Sequence, residues 1–238
     1  MTIIEEINTT EISDKLREFS QLGGVIDFKL FKINSSELHI HKHRLVAEKT
    51  LELLRWENDV YFSKIAIQNG TPRSIYFKIV NEPITNDAGT LITVEQFLGP
   101  YLDIRNMRPV VGGVKGVKTD NSNYAAIFTY FYDDEEKYEN EISFNHSQSG
   151  YVTHGYADAF LHPVHHFGGK MTMLEKGNYF LEFNKFLFGR LTDLEIYSWD
   201  TDISNYFDDG KEWWGSFFWT VYSPEKDWYI DIAASTTD

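Results

Sequence analysis

Eight histidines and no cysteine define the chemistry this 238-residue chain can attempt. His39, His41 and His43 recur at period two within Glu-Leu-His-Ile-His-Lys-His, a stretch that reads as a strand. On a strand that spacing puts three imidazoles on one face, where they could share a divalent metal. The other five are His146, His154, His162, His165 and His166. The run His-Gly-Tyr-Ala-Asp-Ala-Phe-Leu-His-Pro-Val-His-His adds Asp158 as a carboxylate, with His162, His165 and His166 the first suspects for a metal. No His-Glu-x-x-His or similar ligand spacing accompanies them, so hydrogen-bonded or surface histidines are the favoured expectation, and neither a metal nor a cofactor is assigned. Without cysteine, the chain can form no disulfide, thiolate metal site, iron–sulfur cluster or cysteine nucleophile.

Other chemistries find less support. Gly112-Gly-Val-Lys-Gly-Val-Lys-Thr119 resembles a phosphate-binding loop, but Val117 stands where glycine must precede the lysine. A turn over Asp120–Asn123 and a strand-like run follow, so no helix N-terminus is offered to the anion. Strained serine elbows are absent. Paired acids such as Asp200 with Asp202 and Asp208 with Asp209 have the residue types of a glycosidase, whose two carboxyl groups must flank one bond, a separation that spacing alone does not establish.

The most distinctive stretch runs from Asp193 to Glu212. It holds seven acids (Asp193, Glu195, Asp200, Asp202, Asp208, Asp209, Glu212) and one base, Lys211, and Trp213 and Trp214 follow at once. Acids beside exposed aromatics describe an interface whose rim steers a basic partner and whose centre supplies anchoring area. Asp200, Asp202, Asp208, Asp209, Glu212, Trp213 and Trp214 are therefore the candidate partner-binding residues. The competing expectation is a core strand behind a solvated loop, because adjacent tryptophans on a strand point to opposite faces. Over the whole chain 36 acids exceed 22 bases by 14, a balance that repels nucleic-acid phosphates and anionic lipid.

The elements that must position these residues read as α+β. Ile12, Leu16, Phe19 and Leu22 share a helical face behind Thr9 or Thr10 and before Gly23-Gly24. Residues 25–33 and 37–43 alternate as a hairpin, 45–56 carry an imperfect helical pattern, and 59–67 with 73–80 flank Asn69-Gly70 as a second hairpin. Thr93 opens a short helix, and 177–191 predict a buried one ending near Gly189. The runs 193–199, 213–223 and 227–235 predict a C-terminal antiparallel meander. The expected architecture is a mainly antiparallel sheet built of hairpins and this meander, with three or four helices packed on it. It forms one domain over residues 1–238, and any subdomain boundary falls near 83–100. Glu5 and Glu6 stand where a secretory signal would place bases, and no apolar run approaches about 18 residues, so a cytoplasmic location is expected.

The closing stretch, Glu212-Trp-Trp-Gly-Ser-Phe-Phe-Trp-Thr-Val-Tyr-Ser-Pro-Glu-Lys-Asp-Trp-Tyr-Ile-Asp-Ile-Ala-Ala-Ser-Thr-Thr-Asp238, on a cysteine-free acidic α+β chain resembles the immunity proteins of bacterial polymorphic toxin systems. That resemblance implies a non-enzymatic protein that neutralises a toxin by covering its active site, and the toxin is basic where it is a nuclease. A metal-assisted hydrolase using the histidine clusters and a carbohydrate-binding module are the alternatives.

Overall fold

The computed structural model describes residues 2–34, 39–85, 88–98, 110–111, 114–115, 155–161, 163–164, 167–171, 173–212 and 215–236. Six strands form one antiparallel sheet: β1 (Ile3–Glu6), β2 (Ile26–Asn34), β3 (Gly89–Ile92), β6 (Glu195–Trp199), β7 (Ser216–Ser223) and β8 (Trp228–Ser235), in the order β1-β2-β8-β7-β6-β3. A separate two-residue pair joins β4 (Val110–Val111) to β5 (Val114–Lys115). The C-terminal meander forms as its alternation predicts, with Trp219 opposite Ile232 and Thr220 opposite Asp231.

Period two divides each strand between two covered faces. One face carries Phe28 and Leu30 of β2, Phe217, Trp219 and Val221 of β7, and Ile230 and Ile232 of β8. It packs on α1 (Thr10–Gln21), α3 (Val94–Leu98), α4 (Tyr156–Leu161) and α5 (Met173–Phe188). Phe19, Phe160 and Phe183 interlock there at centroid separations of 4.6 to 5.2 Å, so aromatic side chains supply much of the area buried in this core. The Tyr156 hydroxyl, buried among these rings, donates to Asn184 Oδ1 at 2.7 Å.

Local signals explain the caps. Thr9 Oγ1 accepts from the Ile12 amide, and Thr93 and Gln96 close a reciprocal capping box on α3. α5 ends at Gly189, as its pattern predicts.

The opposite face is covered by α2 (His39–Asn69), one 31-residue helix, and here three expectations are corrected. Residues 39–43 and 59–67 are not strands but the two ends of α2, and 73–80 form a 3-10 turn (Arg73–Ile75) and irregular chain. Asn69-Gly70 makes no hairpin. Gly70, at φ 63°, donates its amide to Ile67 O, and Thr71 donates to Ala66 O, so the pair ends the helix. A left-handed glycine serves a tight hairpin and a helix C-terminus equally well. The deciding pattern is His43, Val46, Ala47, Thr50, Leu51 and Leu54, all buried at spacings of three and four.

Candidate functional site

Two features of the sheet's α2-covered side could do chemistry or recognition. The first is the β6–β7 connection, which is wound into three short 3-10 turns: Thr201–Ile203, Asn205–Phe207 and Asp209–Glu212. Asp200 caps the first, its Oδ1 accepting from the Asp202 amide at 2.8 Å, and Ser204 Oγ caps the second. Each turn is pinned from within: Ile203 and Phe207 are buried, Ser216 Oγ donates to Phe207 O, and the Gly210 amide donates to Ser235 Oγ. Apolar residues anchoring the inside leave Asp200, Asp202, Asp208 and Asp209 exposed on the outside. Lys211 Nζ reaches Asp202 at 2.6 Å and Asp208 at 3.2 Å. Desolvation pulls the Lys211 ammonium down, but these two carboxylates outweigh it and hold the group above the ordinary lysine range. The ridge thus brings together four of the seven residues expected to bind a partner. Trp213, Trp214 and the Glu212 side chain lie outside the described residues, as do His162, His165 and His166. The neighbouring indoles of Trp199 and Trp219 are buried in the core.

Sequence reasoning missed what lies beside this ridge. Asn205 accepts the Val80 amide at 2.8 Å on Oδ1 and donates through Nδ2 to Lys78 O, while Glu82 N donates to Ile203 O. These bonds stitch the strip 75–82 against the acidic turns, and the strip exposes Ile75, Phe77 and Val80. The free half of α2 also exposes Trp56, Tyr61 and Ile67. Among the described residues only Ile3 and Leu91 are exposed large apolar side chains elsewhere. The alternation Ile75, Phe77, Ile79 was the available signal, but it reads as a strand; only Ile79 is buried.

The second feature is a polar seam beneath the first half of α2. A helix places residues four apart on one side, so His39 and His43 face Glu195 of β6 while His41 turns away. His39 Nδ1 lies 2.7 Å from Glu195 Oε2, and His43 Nε2 lies 3.4 Å from Oε1 without hydrogen-bond geometry. Trp199 Nε1–H donates to Thr220 Oγ1 at 2.9 Å, and Thr220 Oγ1 is 2.7 Å from His43 Nδ1. An uncharged His43 turns its N–H toward the Glu195 carboxylate, which leaves Nδ1 to accept from the Thr220 hydroxyl. Burial pushes His43 below the usual imidazole range, keeping it neutral. The facing His43, helped by His39, holds Glu195 below the ordinary carboxylate range against the opposing effect of burial. The expectation of three imidazoles on one strand face is therefore corrected to two on a helix that share a carboxylate. Among the described residues no three His, Asp or Glu side chains are placed to hold a metal ion.

Farther along the seam, Thr50 Oγ1 donates to Asp231 Oδ2 at 2.7 Å, and burial holds the Asp231 carboxyl well above its usual range. No helix among the described residues is long and apolar enough to cross a membrane. Comparisons with family models, with curated proteins and with solved structures each returned no match.

Proposed function

We propose that this chain is a non-enzymatic binding protein that neutralises a basic protein partner, with the ridge Asp200, Asp202, Asp208 and Asp209 as the steering rim. The observation that supports the reading is the adjacency of rim and apolar strip. Exposed Ile75, Phe77 and Val80 are hydrogen-bonded through their own backbone segment to the turn that carries the acids. An apolar centre bordered by one sign of charge is the arrangement of interfaces in which a few anchors supply affinity and the rim supplies association rate. Among the described residues only Lys211 pairs with the ridge, held by Asp202 and Asp208. The family that the closing sequence resembles works in this way, by covering a toxin's active site.

The product of the adjacent gene is the first partner to test. Asp208→Lys with Asp209→Lys should slow its association about tenfold or more at low salt and flatten the salt dependence. Phe77→Ser should instead speed dissociation and leave the salt dependence alone. If both variants bind as the parent does, this face is not the interface.

A further inference from the structure

At the start of α2 the polar seam opens into a cleft of about 450 Å³, a volume in the range of small-molecule sites. Its walls come from β1, β2, the first turns of α2 and the β7–β8 turn, and include none of the ridge acids. Tyr222 and Tyr229, with ring centroids 4.8 Å apart, form one wall, and Ile3 and Ile33 add apolar surface. The charged groups are Lys32, Lys42, His39, Glu5 and Asp227.

Among the described residues, the ion pairs nearby use other cations: Lys29 with Glu57, Arg44 with Glu48, Lys49 with Glu52. Lys32 and Lys42 have no such partner. Glu5 sits opposite Lys32 on the β1–β2 ladder without closing an ion pair with it. Among the described residues these two ammonium groups share one cavity without an ion pair, in a chain with 14 excess acids. His39 is oriented rather than free, because Glu195 holds its Nδ1 at 2.7 Å, and Glu195 is itself faced by His43. That leaves Nε2 as the ring atom available to a ligand. Once protonated, the imidazole donates to Glu195 on one side and to an oxyanion on the other. Asp227 already accepts from the Tyr222 hydroxyl at 3.1 Å. With Glu5 it disfavours a polyanion, since a second negative group would meet these carboxylates.

We propose that the cleft binds a small organic acid, a single carboxylate or phosphate on an apolar body, with Lys32 and Lys42 taking the charged group and His39 completing the cradle. The apolar body lies against Tyr222, Tyr229 and Ile33. This site is independent of partner docking and stands or falls without it.

Calorimetric titration of the full chain with benzoate, phenyl phosphate and the uncharged benzyl alcohol tests it, the two acids distinguishing carboxylate from phosphate as the favoured group. At least one acid should bind at pH 6 while benzyl alcohol does not. Lys32→Ala and Lys42→Ala should each weaken that acid about fivefold, the size of one partly exposed charge pair. His39→Gln should weaken the same acid in the same titrations, since the ring that borders the lysines is lost. Melting curves of the variants, all at surface positions, establish that they fold. Failure of both acids to bind, equal binding of benzyl alcohol, or unchanged affinity in both lysine variants overturns the proposal. Unchanged affinity in His39→Gln overturns the part assigned to His39.

Discussion

Beneath α2, Asp231 accepts one hydrogen bond from Thr50, while its other oxygen has no partner among the described residues. Burial keeps the proton on this carboxyl far above the usual range. The unfolded chain ionises the same group near pH 4, so stability present below that pH is lost as the pH rises toward the folded value. Asp231→Asn, which cannot ionise, should therefore gain on the wild type between pH 4 and pH 7, whatever constant offset the amide introduces. Urea denaturation at the two pH values measures this, and a difference independent of pH would refute it. His43 carries the opposite sign. Its folded value is lowered by burial, so its contribution is complete above about pH 6.5 and is lost as the pH falls below that, when the unfolded imidazole protonates first. Glu195, also lowered, adds a contribution that is lost below about pH 4.5. His43→Gln should flatten the wild-type loss of stability just below pH 6.5, read from the same denaturation curves.

At the scale of elements, α2 has two unlike halves. From His43 to Leu54 it is a core helix, whereas beyond Trp56 only Ala66 is buried. The outer half is steadied by the chain that returns beside it: Arg73 bonds Asp59 at 2.7 Å, and Tyr76 stacks on Phe62. Gly70 closes this half, and a Cβ built there meets nothing within 4 Å. Gly70→Ala should thus cost only the left-handed backbone penalty, about 1 kcal/mol. Phe183 on α5 is the contrast, fully buried against Phe19, Phe28 and Phe160. Phe183→Ala should cost about 3–5 kcal/mol through lost transfer energy and the cavity it leaves. Equal effects of the two substitutions in denaturant titrations would contradict the division between core and arm.

For the whole molecule, the excess of 14 acids and the exposed strip from Trp56 to Val80 act against each other. Charge keeps copies apart at neutral pH, while exposed apolar side chains favour association once that charge is neutralised. Light scattering should accordingly rise as the pH approaches 5.0, the isoelectric point expected from composition. The double variant Ile75→Ser, Phe77→Ser should suppress the rise. An unaltered rise in that variant would show that the strip does not mediate self-association.

The amino-acid sequence by itself determined the elements whose signals are local: α1 between Thr9 and Gly23, the capping box of α3, the end of α5 at Gly189, and the C-terminal meander. Each follows from side-chain period, cap chemistry or turn residues within a few positions of one another. It also determined the acid-rich character of residues 200–212, because charge there is a matter of composition. The tertiary structure alone decided that residues 39–69 are one helix, since three histidines at alternate positions satisfy a strand and a helix equally until the spacing of buried groups is known. It alone set His39 and His43 against Glu195, more than 150 residues away, and laid Ile75–Val80 beside the acidic turns. Those relations depend on which face of the sheet α2 covers, and contacts that distant are made by the packed fold, not by any window of the chain.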